Sequence, residues 1–312
     1  MYQSHLRLAT SATGADKFER PIGRALLPVI TAVACLTCIN EVSAASLSIT
    51  RSGCAATITW TNAADVLEAN STLGSPTWVP VIGASSPYPV ITCGSGVNFY
   101  RLHLGGAGTL YSDNIVGYMN VAVPRGFALI ANQVNNLPDN SLNSLFPVGT
   151  TTDLTVVYKY DNPLGAFGSE QIVGGNWSGG GATTLNPGEG AFIFTKVAFT
   201  ATFVGEVITG TSTVCIPLGF SIKSSAIPQE GAIYDIHAPG DGNTDLQYGV
   251  PSAQQVFYQF NNALWAYNSY QFNGSWSSEP GPILKVGESF FTFTSATGGA
   301  YCWTRHFVVG PP

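Results

Sequence analysis

Charged residues are scarce in this 312-residue sequence, in which Asp, Glu, Lys and Arg together make up 10%. Gly, Ser, Thr and Asn fill the polar positions, so the surface is expected to consist mostly of uncharged hydrogen-bonding groups. No run of Lys or Arg occurs. Without a basic patch, nucleic acid has no electrostatic attraction to the chain, and anionic membrane surfaces are disfavoured for the same reason.

The motifs of the common catalytic sites are also missing. The sequence has no Gly-x-Ser-x-Gly elbow, no His-Glu-x-x-His helix and no Walker loop, so nucleophilic and metal-hydrolytic mechanisms have no visible set of residues. We therefore predict no catalytic residue and no enzymatic activity. Helical periodicity is missing too, apart from one short turn over residues 140–146 with Asn140 as its cap. The expected fold class is all-β.

The first 44 residues are predicted to be a signal peptide. Two arginines precede the apolar stretch ALLPVITAVACLTCI (25–39), and small residues lead to a cleavage site after Ala44. Two alternatives stay open: a transmembrane segment, which the shortness of the stretch and Pro28 disfavour, and a lipoprotein leader ending at Cys35. Cleavage would remove four of the twelve basic and three of the eighteen acidic residues, which leaves a net charge of −7. We expect export and no transmembrane span in the mature form.

Four cysteines follow the leader: Cys54, Cys93, Cys215 and Cys302. An even count without a Cys-x-x-Cys pair favours disulfides over metal thiolates in an exported protein. Three connectivities are open. We predict bridges from Cys54 to Cys93 and from Cys215 to Cys302, because each pair then lies within one segment of the chain.

Residues 45–104 consist of short alternating stretches separated by turn signals. In AATITWT, for example, Ile58 and Trp60 fall on one face and threonines on the other, the period of a half-buried strand. We predict a small N-terminal β-sandwich over residues 45–104, closed by the first disulfide, and a linker over residues 105–117.

The remainder of the chain contains an internal repeat. Three blocks recur in the same order at offsets of 93, 100 and 99 residues. They are VAVPRGFALIANQV with VCIPLGFSIKSSAI, VVYKYDN with VFYQFNN, and LNPGEGAFIF with LKVGESFFTF. Small length changes fall in the loops, as expected for a duplication. We predict two tandem β-rich repeats, repeat A over residues 118–210 and repeat B over residues 211–312.

The three blocks resemble a module common in secreted bacterial proteins, with the pattern GWNLIS…VYxYD…LxPGxGYWV. The resemblance covers roughly residues 118–310, and the preceding segment, which ends in FYRL, is similar to small sandwich modules found beside it. The resemblance implies export, of the Gram-negative bacterial type, and a β-rich structure. The module has no established activity, so no catalytic residue is implied.

Glu189 and Glu288 occupy equivalent places in the two repeats, each beside a turn glycine that leads into a strand. A catalytic role would need a second carboxylate or a histidine beside one of them, and the repeats share no such partner. We interpret both as turn residues that accept hydrogen bonds from backbone N–H groups.

A polar loop offers one candidate metal site. In the segment DIHAPGDGNTD, the residues Asp241, Asn243 and Asp245 have the oxygen spacing of a calcium loop. The pattern departs from an EF-hand at Leu246, where a glycine is required, and at Ser252, where a bidentate glutamate belongs. We favour an ordinary loop and no cofactor, with calcium as the alternative.

The densest aromatic stretch, residues 257–276, is interleaved with Asn and Gln. Secreted sugar-binding modules present Trp and Tyr faces beside such amides, which makes Trp265, Tyr267 and Tyr270 the candidate ligand-binding residues. Trp265 and Tyr267 share a face, and Tyr270 joins them only if the two residues before it make a turn. In repeat A, a glycine and a glutamate stand at the positions of Trp265 and Tyr270.

Ordinary core packing is the interpretation of these aromatics that we favour. Trp276 aligns with Trp177, and Tyr267 aligns with Phe167, which indicates core positions in both repeats.

Taken together, these features predict an exported protein of the cell surface or extracellular space with a structural or adhesive role. The first alternative is a carbohydrate-binding module that uses the aromatic row of repeat B, and the second is a hydrolase with an unrecognised site. The partners would be polysaccharide or other surface proteins, and not nucleic acid.

Overall fold

The computed structural model describes residues 45–74, 77–94, 96–106, 108–234 and 250–310. Over these ranges the chain forms short β-strands, one four-residue α-helix and one 3-10 turn. The all-β prediction is confirmed. The predicted leader lies outside the described residues.

The described residues up to Val123 form seven strands. They are Ser48–Ser52 (β1), Ala55–Thr59 (β2), Val66–Asn70 (β3), Val79–Pro80 (β4), Tyr88–Ile91 (β5), Val97–His103 (β6) and Ile115–Val123 (β7), with a 3-10 turn at Leu104–Gly106. Strands β1, β2 and β5 form a three-stranded antiparallel sheet in the order β1-β2-β5.

Six strands follow, with one short helix among them. They are Gly126–Ile130 (β8), Val156–Asp161 (β9), Ala166–Val173 (β10), Asn176–Trp177 (β11), Ala191–Thr195 (β12) and Phe199–Val207 (β13), and the helix is Leu142–Leu145 (α1). Strand β13 returns to pair with β7, in a five-stranded sheet of order β13-β7-β6-β3-β4. The other strands form a second five-stranded sheet of order β11-β10-β9-β12-β8.

The described residues from 210 to 310 form eight further strands. They are Gly210–Ile216 (β14), Gly219–Ser224 (β15), Gly231–Ala232 (β16), Gln255–Asn261 (β17), Ala266–Phe272 (β18), Ile283–Leu284 (β19), Ser289–Thr294 (β20) and Tyr301–Phe307 (β21). Strand β14 pairs with β21, β16 pairs with β19, and the remaining four form a sheet of order β15-β20-β17-β18.

The two N-terminal sheets pack face to face through apolar side chains. Ile49 and Ile58 from the three-stranded sheet meet Leu102, Val116 and others from the five-stranded sheet in one buried cluster. Their alternation along each strand follows from the two-residue period. The sandwich therefore includes strands β7 and β13, which lie outside its predicted residues.

The predicted linker, residues 105–117, overlaps the start of β7 at Ile115. Glycines and polar residues in this segment suggested a flexible connection. Instead, β7 pairs with β6 from Tyr100 opposite Val116 to Val97 opposite Met119, so one sheet crosses the predicted boundary. Backbone pairing decided the structure here, and composition was a poor guide.

Residues 115–207 and 210–307 have the same strand order, and we call them the first and second motifs. In each motif, the first and last strands pair with each other (β7 with β13, or β14 with β21). This outer strand pair covers one face of an inner sheet. Strand order in the inner sheets matches as well: β8-β12-β9-β10 in the first motif and β15-β20-β17-β18 in the second.

Equivalent residues of the two motifs make reciprocal contacts with each other. The amide of Asn162 donates to the carbonyl oxygens of Leu218 and Phe220, both at 2.8 Å. Asn262 donates in the same way to the carbonyls of Arg125 and Phe127, at 2.9 and 2.8 Å. Because each contact has its counterpart, the motifs face each other with approximate twofold symmetry.

Two backbone hydrogen bonds follow the same rule. The Ala131 N–H donates to the Gly287 carbonyl at 2.9 Å, and the Ser224 N–H donates to the Gly188 carbonyl at 3.0 Å. The turn that precedes β20 is thereby joined to the first motif, and the turn that precedes β12 to the second.

The short helix α1 has a different cap from the one predicted. Its N-cap is Ser141, whose side chain accepts from the Ser144 N–H, and the Asn140 side chain is buried and accepts instead from the Asn136 N–H at 2.9 Å. Leu142 and Leu145 join the apolar cluster between the first inner sheet and β7–β13.

Candidate functional site

The inner sheets of the two motifs face each other through aromatic side chains. In β9, Tyr158 and Tyr160 alternate with Val157, so the tyrosines face the second motif while Val157 enters the core beneath. Strand β12 repeats the pattern, with Phe192 facing outward and Ile193 inward. The sequence period of two thus places a layer of rings between the sheets.

An open pocket of about 490 Å³ lies within this aromatic layer. The first motif lines it with Phe127, Tyr158, Phe167 and Phe192. The second motif lines it with Phe260, Trp265, Tyr267 and Phe291. Among these described lining residues, the only polar side-chain atoms are two phenol oxygens and one indole nitrogen, so the pocket suits an apolar ligand.

Two equivalent ring pairs across the pocket have equal centroid distances but different interplanar angles, 35° and 79°. The centroids of Phe167 and Phe291 are 6.4 Å apart. Their equivalents, Tyr267 and Phe192, are also 6.4 Å apart. Mixed edge and tilted contacts of this kind are favourable between aromatic rings, and they hold the walls of the pocket in place.

Trp265 is the main departure from this symmetry. It lies in the turn before β18 with φ at 52°, where the first motif has Gly165 with φ at 63°. A bulky residue in the left-handed region costs about 1 to 2 kcal/mol. The side chain is 64% exposed, and its ring meets the edge of Phe127 at 6.0 Å. Backbone strain of this kind is common at functional sites, and in this chain Leu154 and Gln254 have it as well, away from the pocket lining.

The three predicted ligand-binding residues do not form one platform. Trp265 and Tyr267 both line the pocket, and Tyr267 is 46% exposed. Tyr270 lies on the opposite face and packs against the core of the second motif. Residues Ala266–Phe272 form an uninterrupted strand, so the turn needed to bring Tyr270 alongside is not made.

Core packing explains some of the aromatic stretch and not the rest. Trp177 and Trp276 are buried, as their alignment predicted. Trp265 is too exposed to be a core residue, and Tyr267 and Phe167 are each about half exposed at the mouth of the pocket. Partial burial raises the pKa of the Tyr267 hydroxyl.

A second cavity, of about 510 Å³, adjoins Trp265 on its other side. Arg125 and Lys196 line it together with Trp265, and both are exposed. Gly126 and Thr195 pair with each other at the ends of β8 and β12. Arg125 immediately precedes Gly126 in the chain, and Lys196 immediately follows Thr195. The sequence offered a signal for this site, since both positions are uncharged in the aligned second repeat, but it was missed.

Glu189 and Glu288 are placed as turn residues. The carboxylate of Glu189 accepts from the Asn186 N–H at 2.7 Å and from the Lys159 ammonium at 2.9 Å. The carboxylate of Glu288 accepts from the Lys285 N–H at 3.0 Å. Each therefore closes its own turn, and the hydrogen bonds to backbone N–H groups are those that the sequence predicted.

The candidate calcium ligands Asp241, Asn243 and Asp245 lie outside the described residues. Within the described ranges, no group of three His, Cys, Asp or Glu side chains is arranged to hold a metal ion.

Both predicted disulfides are confirmed. Cys54 is bonded to Cys93 in the N-terminal sandwich, and Cys215 is bonded to Cys302. The second bridge joins directly opposed residues of β14 and β21. Two disulfides are compatible with an extracellular protein.

In the described part of the chain, no helix has the length and apolar character needed to cross a membrane. Comparisons of the chain with protein-family models, with curated proteins and with solved structures found no match. Any function must therefore be argued from the site itself.

Proposed function

We propose that this protein is an exported, disulfide-bonded interaction protein that acts by binding, with the aromatic pocket between its two motifs as the ligand site. The observation that carries the proposal is the strained, exposed Trp265 at the mouth of a pocket of about 490 Å³. Apolar pockets of this size are the usual form of small-ligand sites.

Export and duplication are parts of the same proposal. The predicted leader and the two disulfides support export. The sequence blocks, together with the equal strand order of the two motifs, support an origin by tandem duplication of a β-rich secreted module. A duplicated unit that packs on its copy creates a shared interface, which is where the pocket lies.

A neutral apolar dye, N-phenylnaphthylamine, tests the pocket by fluorescence titration of the purified, oxidised protein. We expect saturable binding that weakens about tenfold in Trp265→Gly, because the variant loses the aromatic wall while taking the residue of the first motif. Stability should change by no more than about 1 kcal/mol, since relief of backbone strain offsets the lost ring contact.

Leu264→Ala is the matched control, because Leu264 is 70% exposed and next to Trp265 in the chain but does not line the pocket. Equal dye binding by wild type and Trp265→Gly would remove the pocket as the ligand site.

Carbohydrate binding is the second candidate, favoured by the two exposed rings of Trp265 and Tyr267 on one face. Sugar hydroxyls need hydrogen-bonding groups beside the rings, and the pocket lining supplies few. Retention of the protein on insoluble neutral polysaccharide, lost in Trp265→Gly, would favour this candidate over an apolar ligand.

A further inference from the structure

Departures from twofold symmetry cluster at one end of the pocket. Trp265 stands in place of Gly165 at the end where its turn meets Gly126. At the other end, Gly165 precedes β10, and the neighbouring Asn162 meets Gly219. The two ends are equivalent by fold, so a residue that differs between them is a feature of one end alone and is not required by the shared fold.

The cations follow the same asymmetry. Arg125 and Lys196 flank the Gly126–Thr195 pair in the first motif. The residues that flank the equivalent Gly219–Thr294 pair are Leu218 and Ser295. At these equivalent positions, cations are therefore present only at the Trp265 end of the pocket.

An acidic residue shows the opposite preference. The turn at the Trp265 end begins with Asn261, whose side-chain oxygen accepts from backbone N–H groups. The equivalent turn at the other end begins with Asp161. The Trp265 end thus carries two cations and an amide, and the other end carries a carboxylate and no cation at the equivalent positions.

Both cations are available to a ligand. Ion pairs in the described part of the chain join other residues, and neither Arg125 nor Lys196 takes part in them. Only eight basic residues follow the predicted leader, against fifteen acidic ones, so two unpaired cations in one cavity are a large share of the positive charge. Among the described residues, no carboxylate lines that cavity.

From these three differences we infer that the occupant of the pocket is a small anionic amphiphile. Its apolar body lies among the aromatic rings, and its carboxylate, sulfate or sulfonate group passes the edge of Trp265 to reach Arg125 and Lys196. Trp265 lines both cavities and is the wall that the ligand crosses. This inference rests on the proposed function of the pocket and specifies its ligand class.

Two dyes with the same ring system distinguish an anionic ligand from apolar binding in the pocket alone. N-phenylnaphthylamine is neutral, and anilinonaphthalene sulfonate adds one anionic group to the same rings. In Arg125→Gln/Lys196→Gln, the dissociation constant of the sulfonate should rise about fivefold to tenfold, while that of the neutral dye stays within about twofold. The sulfonate advantage should also shrink at high salt, because exposed charges are screened.

A variant of wild-type net charge provides the control. Adding Leu218→Arg and Ser295→Lys to the doubly neutral protein moves both cations to the other end, where Trp265 is missing, and sulfonate affinity should not return. Failure of the neutral dye to bind wild type would end the proposed function. Binding of both dyes, with sulfonate affinity unchanged in the doubly neutral variant or restored by the relocated charges, would overturn the anionic ligand alone.

Discussion

The outer strand pairs of the two motifs are equivalent in fold but are stabilised by different contacts. Strand β7 of the first motif is hydrogen-bonded to β13 on one side and to β6 on the other. Strand β14 of the second motif is paired, among the described residues, with β21 alone, and it carries the Cys215–Cys302 bridge across that pair. The second motif thus has a covalent link within its outer strand pair, whereas the first motif has an additional strand beside that pair.

The aromatic interface shows the opposite relation. There, the cross-motif distances Phe167–Phe291 and Phe192–Tyr267 are both 6.4 Å, and the turn at Trp265 and the cations beside it are among the differences. A ring that packs between the two motifs is constrained by side chains of both, and this favours similar positions for equivalent rings. Exposed positions are free of that constraint, and the candidate ligand site lies among them.

Removal of the second disulfide should give the largest effect. In Cys215→Ala/Cys302→Ala, the free energy of unfolding should fall by about 4 to 5 kcal/mol in the chain-entropy model, because the bridge closes a sequence separation of 87 residues. Urea denaturation measures the loss. Hydrogen exchange should quicken more in β14 and β21 than in β7 and β13.

A fall in the free energy of unfolding below about 1 kcal/mol, with exchange unchanged in β14 and β21, would contradict this difference between the outer strand pairs. Packing of Trp303 against Phe257 and Phe290 would then be enough to stabilise the β14–β21 pair without its disulfide.

The reciprocal asparagines should behave alike in stability and differently in binding. Asn162→Ala and Asn262→Ala each remove two hydrogen bonds to carbonyls, so each should cost about 1 to 2 kcal/mol, measured by thermal unfolding. Only Asn262 bonds to the Arg125 carbonyl beside Trp265, so only its variant should weaken binding of anilinonaphthalene sulfonate. Equal loss of binding in both would place the ligand away from the Trp265 end.

The turn glutamates should give the smallest effects, and they should differ with pH. Glu189→Gln weakens an ion pair and a charge-assisted hydrogen bond at a half-exposed site, which should cost about 0.5 to 1 kcal/mol at neutral pH. Burial raises the pKa of Glu288, against the lowering effect of its hydrogen bonds. The folded state then holds this proton more tightly than the unfolded state does.

The sign for Glu288 follows from that shift. Its contribution to stability is fully present below the unfolded pKa, about 4.3, and declines as pH rises through the higher folded value. Glu288→Gln should therefore cost less near neutral pH than in acid, and less there than Glu189→Gln. Thermal unfolding of both variants across this pH range tests the order. A cost for Glu288→Gln that grows with pH would contradict it.

Local patterns carried most of the fold prediction. Alternation with a period of two predicted the strands, and the even cysteine count with its spacing predicted both bridges. Alignment of the two repeats predicted the burial of Trp177 and Trp276, because equivalent positions of a duplicated sheet face the same core.

Packing between the motifs could not be predicted in the same way. Period two assigns Tyr158 and Phe192 to the second face of a sheet, but it does not say what covers that face. The pocket depends on reciprocal contacts across more than 50 residues of sequence, such as Asn162 with Leu218. Tyr270 was misplaced because its direction depends on whether two residues turn or extend, and β18 continues through them.

The pairing of β7 with β13 has a consequence for the time order of folding. Val123 lies opposite Phe199, so residues 124–198 must be made before the outer edge of β7 acquires its partner. If the chain is exported, as proposed, and crosses the membrane amino end first, β7 has an unpaired outer edge until β13 follows, and unpaired edges are prone to pairing with the wrong chain. The speed at which the intervening segment crosses the membrane then sets how long each molecule is at risk of aggregation.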